Sequence, residues 1–124
     1  MRQGFLVIFS LLLYLGLHAD PDSKSQKEID HLLDYIKKSN VTFIRNGDEH
    51  NAEEAAKHIQ SKFERFKKKI NSAEDFIEKC ATKSELSGKP YEIKLTDGTK
   101  METSKWLLAE LKIFREKKPP EEKN

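Results

Sequence analysis

The chain has 124 residues, enough for one domain, with 23 Lys and Arg against 21 Asp and Glu and a net charge of +2. This near balance argues against a strong long-range attraction to nucleic acid or to an anionic membrane surface. Cys80 is the single cysteine, which excludes a disulfide within the chain, so a hydrophobic core must hold the fold without one.

Residues 1–19 predict a cleavable signal peptide. Arg2 precedes an almost entirely apolar run from Gly4 to Leu17, and the small residue Ala19 follows shortly after. The run is shorter than the roughly 20 apolar residues that a membrane-spanning helix needs. We therefore expect a periplasmic or secreted protein, cleaved near Ala19 and without stable membrane anchoring afterwards. An uncleaved anchor is the alternative.

The remainder of the chain predicts one globular domain over residues 27–117. Residues 20–26 are polar and are expected to form a flexible N-terminal segment, and residues 118–124 a flexible tail. Apolar residues then recur at helical spacing, which predicts a first helix over about 26–39. Ser25 is its expected cap.

A β-hairpin is predicted to follow the first helix. The β-branched and aromatic run Val41–Ile44 precedes Asn46-Gly47, a pair that accepts the positive φ angles of a tight hairpin turn. The short polar stretch Asp48–His50 is its expected return strand.

Two helices are predicted next. Asn51 and Glu54 have the spacing of a capping box and begin the clearest amphipathic stripe of the chain, which includes Phe63. Ser72 is the expected cap of a shorter helix that carries Cys80 on its apolar face.

The C-terminal part predicts a second hairpin and a last helix. After the loop Ser84–Pro90, the alternating stretch Tyr91–Leu95 indicates a half-buried strand, and Asp97-Gly98 a hairpin turn. Thr103 or Ser104 is the expected cap of the final amphipathic helix. The predicted fold is therefore α+β and mostly helical, with about four amphipathic helices and two short β-hairpins around one core.

Five segments carry a resemblance to a known family: Phe43-Ile44-Arg45-Asn46-Gly47, Ala55-Ala56-Lys57-His58, Ala73-Glu74-Asp75-Phe76-Ile77, Ser87-Gly88-Lys89-Pro90-Tyr91 and Trp106-Leu107. In their order and spacing they resemble the YfeK-like family of small exported bacterial proteins, a domain of unknown function. The resemblance covers about residues 27–115. It implies a bacterial source and a periplasmic or secreted location, and it implies no activity, substrate or catalytic residue.

His50, Glu54 and His58 are the candidate metal ligands. Their spacing of four would place them on one face of a continuous helix, and two imidazoles with a carboxylate suit zinc. However, Asn51 as a cap places His50 outside the helix, and the pattern His-Glu-x-x-His is missing. We therefore expect no metal or other cofactor, and these three residues remain the alternative.

Cys80 and a basic run are given structural interpretations. Cys80 lies on an apolar face late in its helix, where the helix dipole disfavours a thiolate, so we expect a buried thiol. An intermolecular disulfide is the alternative. The basic residues Lys62, Arg65 and Lys67–Lys69 are interpreted as a solvated helix face rather than a nucleic-acid site, with Glu64 available to pair with Lys68.

No local catalytic signature is present in the sequence. We therefore expect a non-catalytic binding or interaction module that recognises an unknown periplasmic or extracellular protein or ligand, and no nucleic acid. The alternative is a small periplasmic enzyme or metal-binding protein that uses Arg45, His50, Glu54 and His58.

Arg45, Lys89 and Tyr91 are the predicted recognition residues. They lie at the ends of the two hairpins, and binding residues concentrate on loops that a rigid scaffold supports. Arg and Tyr are also favoured at binding hot spots. We expect the three to lie near one another in a shallow site. The structural alternative is that Tyr91 packs in the core and that Arg45 pairs with Asp48.

Overall fold

The computed structural model describes residues 20–117, so the predicted signal peptide and C-terminal tail lie outside the described part of the chain. Four α-helices and four β-strands occur in it. The helices are α1 (Ser23–Lys38), α2 (Ala52–Phe66), α3 (Ala73–Cys80) and α4 (Thr103–Glu116). The strands are β1 (Thr42–Arg45), β2 (Asp48–His50), β3 (Glu92–Lys94) and β4 (Lys100–Glu102). The predicted α+β, mostly helical fold is confirmed.

Helix α1 begins earlier than predicted and has a different cap. The carboxylate of Asp22 accepts a hydrogen bond of 2.8 Å from the backbone N–H of Ser25, so Asp22 is the N-cap. The prediction that Ser25 caps this helix is wrong. Ser25 is buried in the first turn, where its hydroxyl donates to the carbonyl of Asn71. Residues 23–26 are therefore helical.

Helix α2 begins at the predicted capping box. The Asn51 side chain accepts from the N–H of Glu54 at 2.8 Å, and the Glu54 carboxylate accepts from the N–H of Asn51 at 3.2 Å. Ser72 caps α3, as predicted, by accepting from the N–H of Asp75.

Helix α4 has no side-chain cap. Glu102 occupies the N-cap position without accepting a hydrogen bond from the first turn, so the predicted caps Thr103 and Ser104 are both wrong. Thr103 is instead fully buried, and its backbone N–H donates to the carbonyl of Tyr91 at 2.9 Å. Its side chain therefore faces the interior.

The two predicted hairpins form a single antiparallel sheet in the order β2-β1-β3-β4. Asn46 and Gly47 have φ angles of 55° and 84°, which confirms the first tight turn. Strands β1 and β3 pair with Phe43 opposite Ile93, and this pairing joins the hairpins. No local sequence signal encodes it, because the two strands are far apart in the chain.

The core lies between the helices and one face of the sheet. Helix α1 packs against the other three helices, and Phe43 and Ile93 contribute from the sheet. The rings of Phe63 and Phe76 meet edge to face at 5.7 Å, so the stripe of α2 faces the core as predicted. Cys80 is fully buried, also as predicted, and burial raises the pKa of its thiol to about 11.

An arginine links three helices at one end of the molecule. Arg115 of α4 donates to Glu28 of α1 at 2.8 and 2.9 Å, and to Glu74 of α3 at 2.7 and 3.1 Å. Glu28 is buried, and the Arg115 guanidinium holds the pKa of that carboxyl below its usual value.

Among residues 20–117, no helix is both long enough and apolar enough to cross a membrane.

Candidate functional site

A cleft opens between helix α2 and the face of the sheet that packs on the helices. Its floor is buried and mostly apolar, and consists of Phe43, Ala55, Ile59, Tyr91 and Thr103. The cavity has a volume of about 30 Å³, which is room for one or two groups the size of a water molecule. The cleft therefore fits the end of a ligand rather than a whole large molecule.

The rim of the cleft carries the polar side chains. Arg45 is the last residue of β1 and His50 the last residue of β2, while Glu54 and His58 lie one turn apart on α2. The Nδ1 atom of His50 lies 3.5 Å from the Glu54 carboxylate. One end of the sheet and the start of α2 thus bring a guanidinium, two imidazoles and one carboxylate around the opening.

A chain of three polar groups runs along one side of the cleft. The Lys62 ammonium lies 3.3 Å from the Tyr91 hydroxyl, which lies 3.0 Å from Nε2 of His58. Because an ammonium only donates, the Tyr91 oxygen accepts from Lys62. The Tyr91 hydroxyl and Nε2 of His58 share the second hydrogen bond, in which either group can act as the donor.

The electrostatic environment keeps His58 and Tyr91 neutral. Burial lowers the pKa of His58, and the positive charges of Arg45 and Lys62 lower it further. Burial also raises the pKa of the Tyr91 hydroxyl, and the Arg45 charge partly opposes that change. The nearby charges that act on His58 are thus positive, whereas Tyr91 experiences both the Arg45 cation and the Glu85 carboxylate.

Lys62 is buried, which contradicts its interpretation as part of a solvated basic face. Only 2% of the residue is exposed, and its ammonium donates to the carbonyl of Lys83 and to Tyr91. Burial lowers its pKa. Its spacing from Ala55, Ile59 and Phe66 is that of one helical stripe, and this was the signal available in the sequence.

Glu64 also departs from its predicted pairing. Its carboxylate accepts a hydrogen bond from Gln60, four residues earlier, and makes no ion pair with Lys68. Arg65, Lys68 and Lys69 are exposed, so the solvated-face interpretation holds for these three residues.

Thr103 was not predicted as a site residue, since the sequence pattern indicated a helix cap. The residue is fully buried and lines the cleft. Its hydroxyl has no hydrogen-bond partner among residues 20–117. A buried hydroxyl without a partner costs about 1–3 kcal/mol, so its presence beside a cavity needs an explanation.

Arg45 is likewise without a partner. It forms no ion pair or side-chain hydrogen bond with any residue of the described part of the chain. Asp48 lies opposite Arg45 in the strand register, but the two side chains do not pair. The guanidinium at the rim is therefore available to a ligand.

Comparison with known proteins places the chain in a family. Residues 23–115 match the model described as Family of unknown function (DUF5329). The chain belongs to this family. A relative within it, the uncharacterized protein YfeK of Salmonella typhimurium, is 37% identical over 92 residues, which cover 73% of this chain and 77% of the relative. No solved structure matches. The predicted resemblance is confirmed, and the DUF5329 match adds no activity or ligand.

Of the three predicted recognition residues of this DUF5329 chain, the structure brings two together. Arg45 and Tyr91 line the same cleft. Lys89 lines a separate, open groove of about 400 Å³ together with Glu49, Glu92 and other residues. Glu49 and Glu92 lie opposite Ile44 in the register, on the other face of the sheet from Phe43 and Arg45. Lys89 precedes β3 in the loop Ser84–Pro90, and its position there places it at the groove on the opposite face of the sheet from Arg45 and Tyr91.

The side chain of Asn46, in the first hairpin turn, forms hydrogen bonds to the loop Ser84–Pro90. The Asn46 amide donates to the Ser84 hydroxyl at 3.3 Å, and its oxygen accepts from the Ser87 hydroxyl. This contact fixes the path of the chain into Tyr91. It explains how two segments some 45 residues apart meet at the cleft.

The alternative metal ligands His50, Glu54 and His58 all line the cleft but do not converge on one point. Within residues 20–117, no group of three or more His, Cys, Asp or Glu side chains has an arrangement that could hold a metal ion. The Nε2 atom of His58 is engaged by Tyr91. The geometry thus gives the metal hypothesis no support.

Proposed function

We propose that this protein is an exported, non-catalytic binding module whose recognition site is the cleft formed by β1, α2, Tyr91 and Thr103. The observation that carries the proposal is Thr103, which lines the floor of the cavity and whose buried hydroxyl has no hydrogen-bond partner among residues 20–117. Elsewhere in the described structure, buried side-chain polar atoms have hydrogen-bond partners. A ligand group that bonds to Thr103 would remove the cost of leaving it unsatisfied.

The chemistry of the cleft favours holding a ligand over transforming it. His58 is neutral and bonded to Tyr91, and Lys62 lies behind Tyr91 with 2% of its surface exposed. Neither group points a free nucleophile or base into the cavity. The small volume leaves room for a terminal group, without room for a second reactant beside it.

A fragment screen with a blocking variant tests this function. Amide chemical shifts of the labelled protein are recorded with a library of small polar fragments, and bound fragments are expected to move the amides of Arg45, His58 and Thr103. The substitution Ala55→Leu fills the floor of the cleft and should abolish these shifts. Ala109→Leu, on the exposed side of α4, is the matched control and should not.

Two outcomes of the fragment screen would contradict the proposed cleft. Fragments that bind equally to the wild type and to the Ala55→Leu variant would place recognition elsewhere. Arg45→Gln provides a second test that leaves the core untouched, since Arg45 is half-buried at the rim. Fragments that bind with the same affinity to the wild type, to Ala55→Leu and to Arg45→Gln would overturn the assignment of the recognition site to this cleft.

The proposed export rests on residues 1–19, where a basic residue, an apolar run and Ala19 follow one another. We expect the protein from the periplasmic fraction of a bacterial host to begin at Asp20. N-terminal sequencing and intact mass measure this directly. A full-length chain retained in the membrane fraction would contradict it.

A further inference from the structure

We propose that the ligand of this cleft presents a carboxylate attached to a short apolar body, and that Arg45 and Thr103 are the donors that bind the carboxylate. The inference rests on the proposed function and adds the chemical class of the ligand. Both donors line the same cavity, and neither has a partner within the described residues.

The charges around the cleft favour an anion. Arg45 lies at the rim, and Lys62 lies behind Tyr91 without a carboxylate hydrogen-bonded to it. Burial and the neighbouring cations lower the pKa of His58, so this imidazole is neutral and adds no charge of either sign. The carboxylate on the rim, Glu54, is exposed and lies beside His50. The cations of the cleft are therefore only partly neutralised, and an anion entering it gains from both.

The size and shape of the cavity favour a carboxylate over a phosphate or sulfate. A space of about 30 Å³ accepts a planar group with two oxygens. The guanidinium fork of arginine matches that group with two parallel hydrogen bonds. The same fork also binds phosphate and sulfate, so the discrimination rests on size, since a tetrahedral anion with four oxygens needs more room than a planar carboxylate.

The floor defines what the carboxylate is attached to. Phe43, Ala55 and Ile59 are buried and apolar, and they line the cavity beside Thr103. Contact with these side chains favours an apolar carbon directly next to the carboxylate, while the remainder of the ligand lies outside a space of about 30 Å³. A free organic acid and the C-terminal residue of a peptide share this chemistry, and both are included as probes.

The test is a titration of the periplasmic protein with matched acids and amides, followed by amide chemical shifts. The probes are butyrate, its neutral isostere butyramide, inorganic sulfate, and the tripeptide Gly-Gly-Leu with a free or an amidated C-terminus. We expect butyrate or the free tripeptide to bind at least tenfold more tightly than the corresponding amide. The shifted amides should include those of Arg45 and Thr103.

Three substitutions assign the donors. Arg45→Gln should reduce the affinity for the acid to that for the amide, at least a tenfold loss, and Arg45→Lys should give an intermediate affinity because it keeps the charge and loses the fork. Thr103→Val removes the hydroxyl with little change of shape and should weaken binding severalfold. Arg65→Gln, an exposed arginine on α2, is the control and should leave the affinity unchanged.

The possible results separate a failure of the carboxylate ligand class from a failure of the proposed binding function. Equal binding of acid and amide in the cleft would overturn the carboxylate inference and leave the binding module in place. Tighter binding of sulfate than of either acid, or acid binding that survives Arg45→Gln, would also overturn it. An absence of binding by every probe would reject this ligand class, whereas the fragment screen with Ala55→Leu decides the proposed function separately.

Discussion

Arg115 and Arg45 carry the same guanidinium group in opposite surroundings. Arg115 donates hydrogen bonds to Glu28 and Glu74 and thereby links α1, α3 and α4. Arg45 forms no ion pair within residues 20–117. The first arrangement stabilises the helices, and the second contributes little to the fold. Arg115 therefore serves the fold, whereas Arg45 is free for the recognition that we propose.

Two threonines repeat the contrast. The hydroxyl of Thr82 donates to the carbonyl of Ile77 at 2.8 Å at the end of α3, whereas the hydroxyl of Thr103 is buried at the cleft without a partner. Thr82 also lies near the cleft, since its carbonyl accepts from the N–H of Tyr91, so the contrast is between two neighbouring hydroxyls with different surroundings. The Thr103 hydroxyl has no hydrogen-bond partner among residues 20–117, which the recognition site that we propose would explain.

The largest effect is expected in the core that both regions share. Phe63→Ala should lower the free energy of unfolding by about 3–5 kcal/mol, since the ring is 2% exposed and packs on Phe76. Urea denaturation measures this loss. Leu86→Ala, at a side chain that is 96% exposed, should change the stability by less than about 0.5 kcal/mol. An unchanged midpoint for Phe63→Ala would refute the packing of α2 described here.

The two arginines should differ when each is replaced by glutamine. Arg115→Gln leaves the buried Glu28 carboxylate without its partner and should cost about 1.5–3 kcal/mol, whereas Arg45→Gln should stay within about 0.5 kcal/mol. Both are measured by urea denaturation at pH 7. Equal losses would remove the distinction between a structural and a recognition arginine.

Acid should reduce the stability that the ion pairs of Arg115 provide. Arg115 lowers the pKa of Glu28 and Glu74 below the ordinary value of 4.5, so the unfolded chain binds more protons than the folded one as the pH falls. The stability that these pairs provide is present above about pH 4.5 and is lost below it. In Arg115→Gln the loss of stability between pH 5 and pH 3 should be smaller than in the wild type. A parallel acid dependence in both proteins would contradict the assigned ion pairs.

The buried Lys62 ammonium should contribute little to the stability of the fold. Lys62→Met removes the charge and keeps the volume, so the stability at pH 7 should change by less than about 1.5 kcal/mol. Burial lowers the pKa of Lys62, so the unfolded chain binds more protons and wild-type stability should rise between pH 7 and pH 9.5 relative to the variant. Lys69→Met, at an exposed position, should show no such difference. A destabilisation of several kcal/mol would make Lys62 a structural residue.

Local signals account for the parts of the fold that the sequence predicts correctly. The capping box at Asn51 and the turn at Asn46-Gly47 depend on residues within three positions of one another. The pairing of β1 with β3 and the contact of Arg115 with Glu28 join residues that lie far apart in the chain. Such contacts depend on the packed arrangement of the helices, and no single segment encodes them.

The sequence predicts part of the candidate site, as it predicts part of the fold. Arg45 and Tyr91 stand out because a turn and a strand do not require them, and both line the cleft. Lys89 was grouped with them from its position in the loop, but it faces another groove. Thr103 and Lys62 were missed because their sequence patterns suggested a cap and a solvated face, and only the tertiary packing shows that both are buried.

A comparison of Thr103→Val with Thr82→Val in the absence of ligand shows whether the fold uses the Thr103 hydroxyl. If the Thr103 hydroxyl has no partner in the fold, its replacement by a methyl group should leave the free energy of unfolding unchanged or raise it by about 1 kcal/mol. Thr82→Val should lose about 1 kcal/mol, because its hydroxyl donates to the Ile77 carbonyl. A loss of 1 kcal/mol or more for Thr103→Val would show that this hydroxyl stabilises the fold, and would contradict its assignment to a ligand.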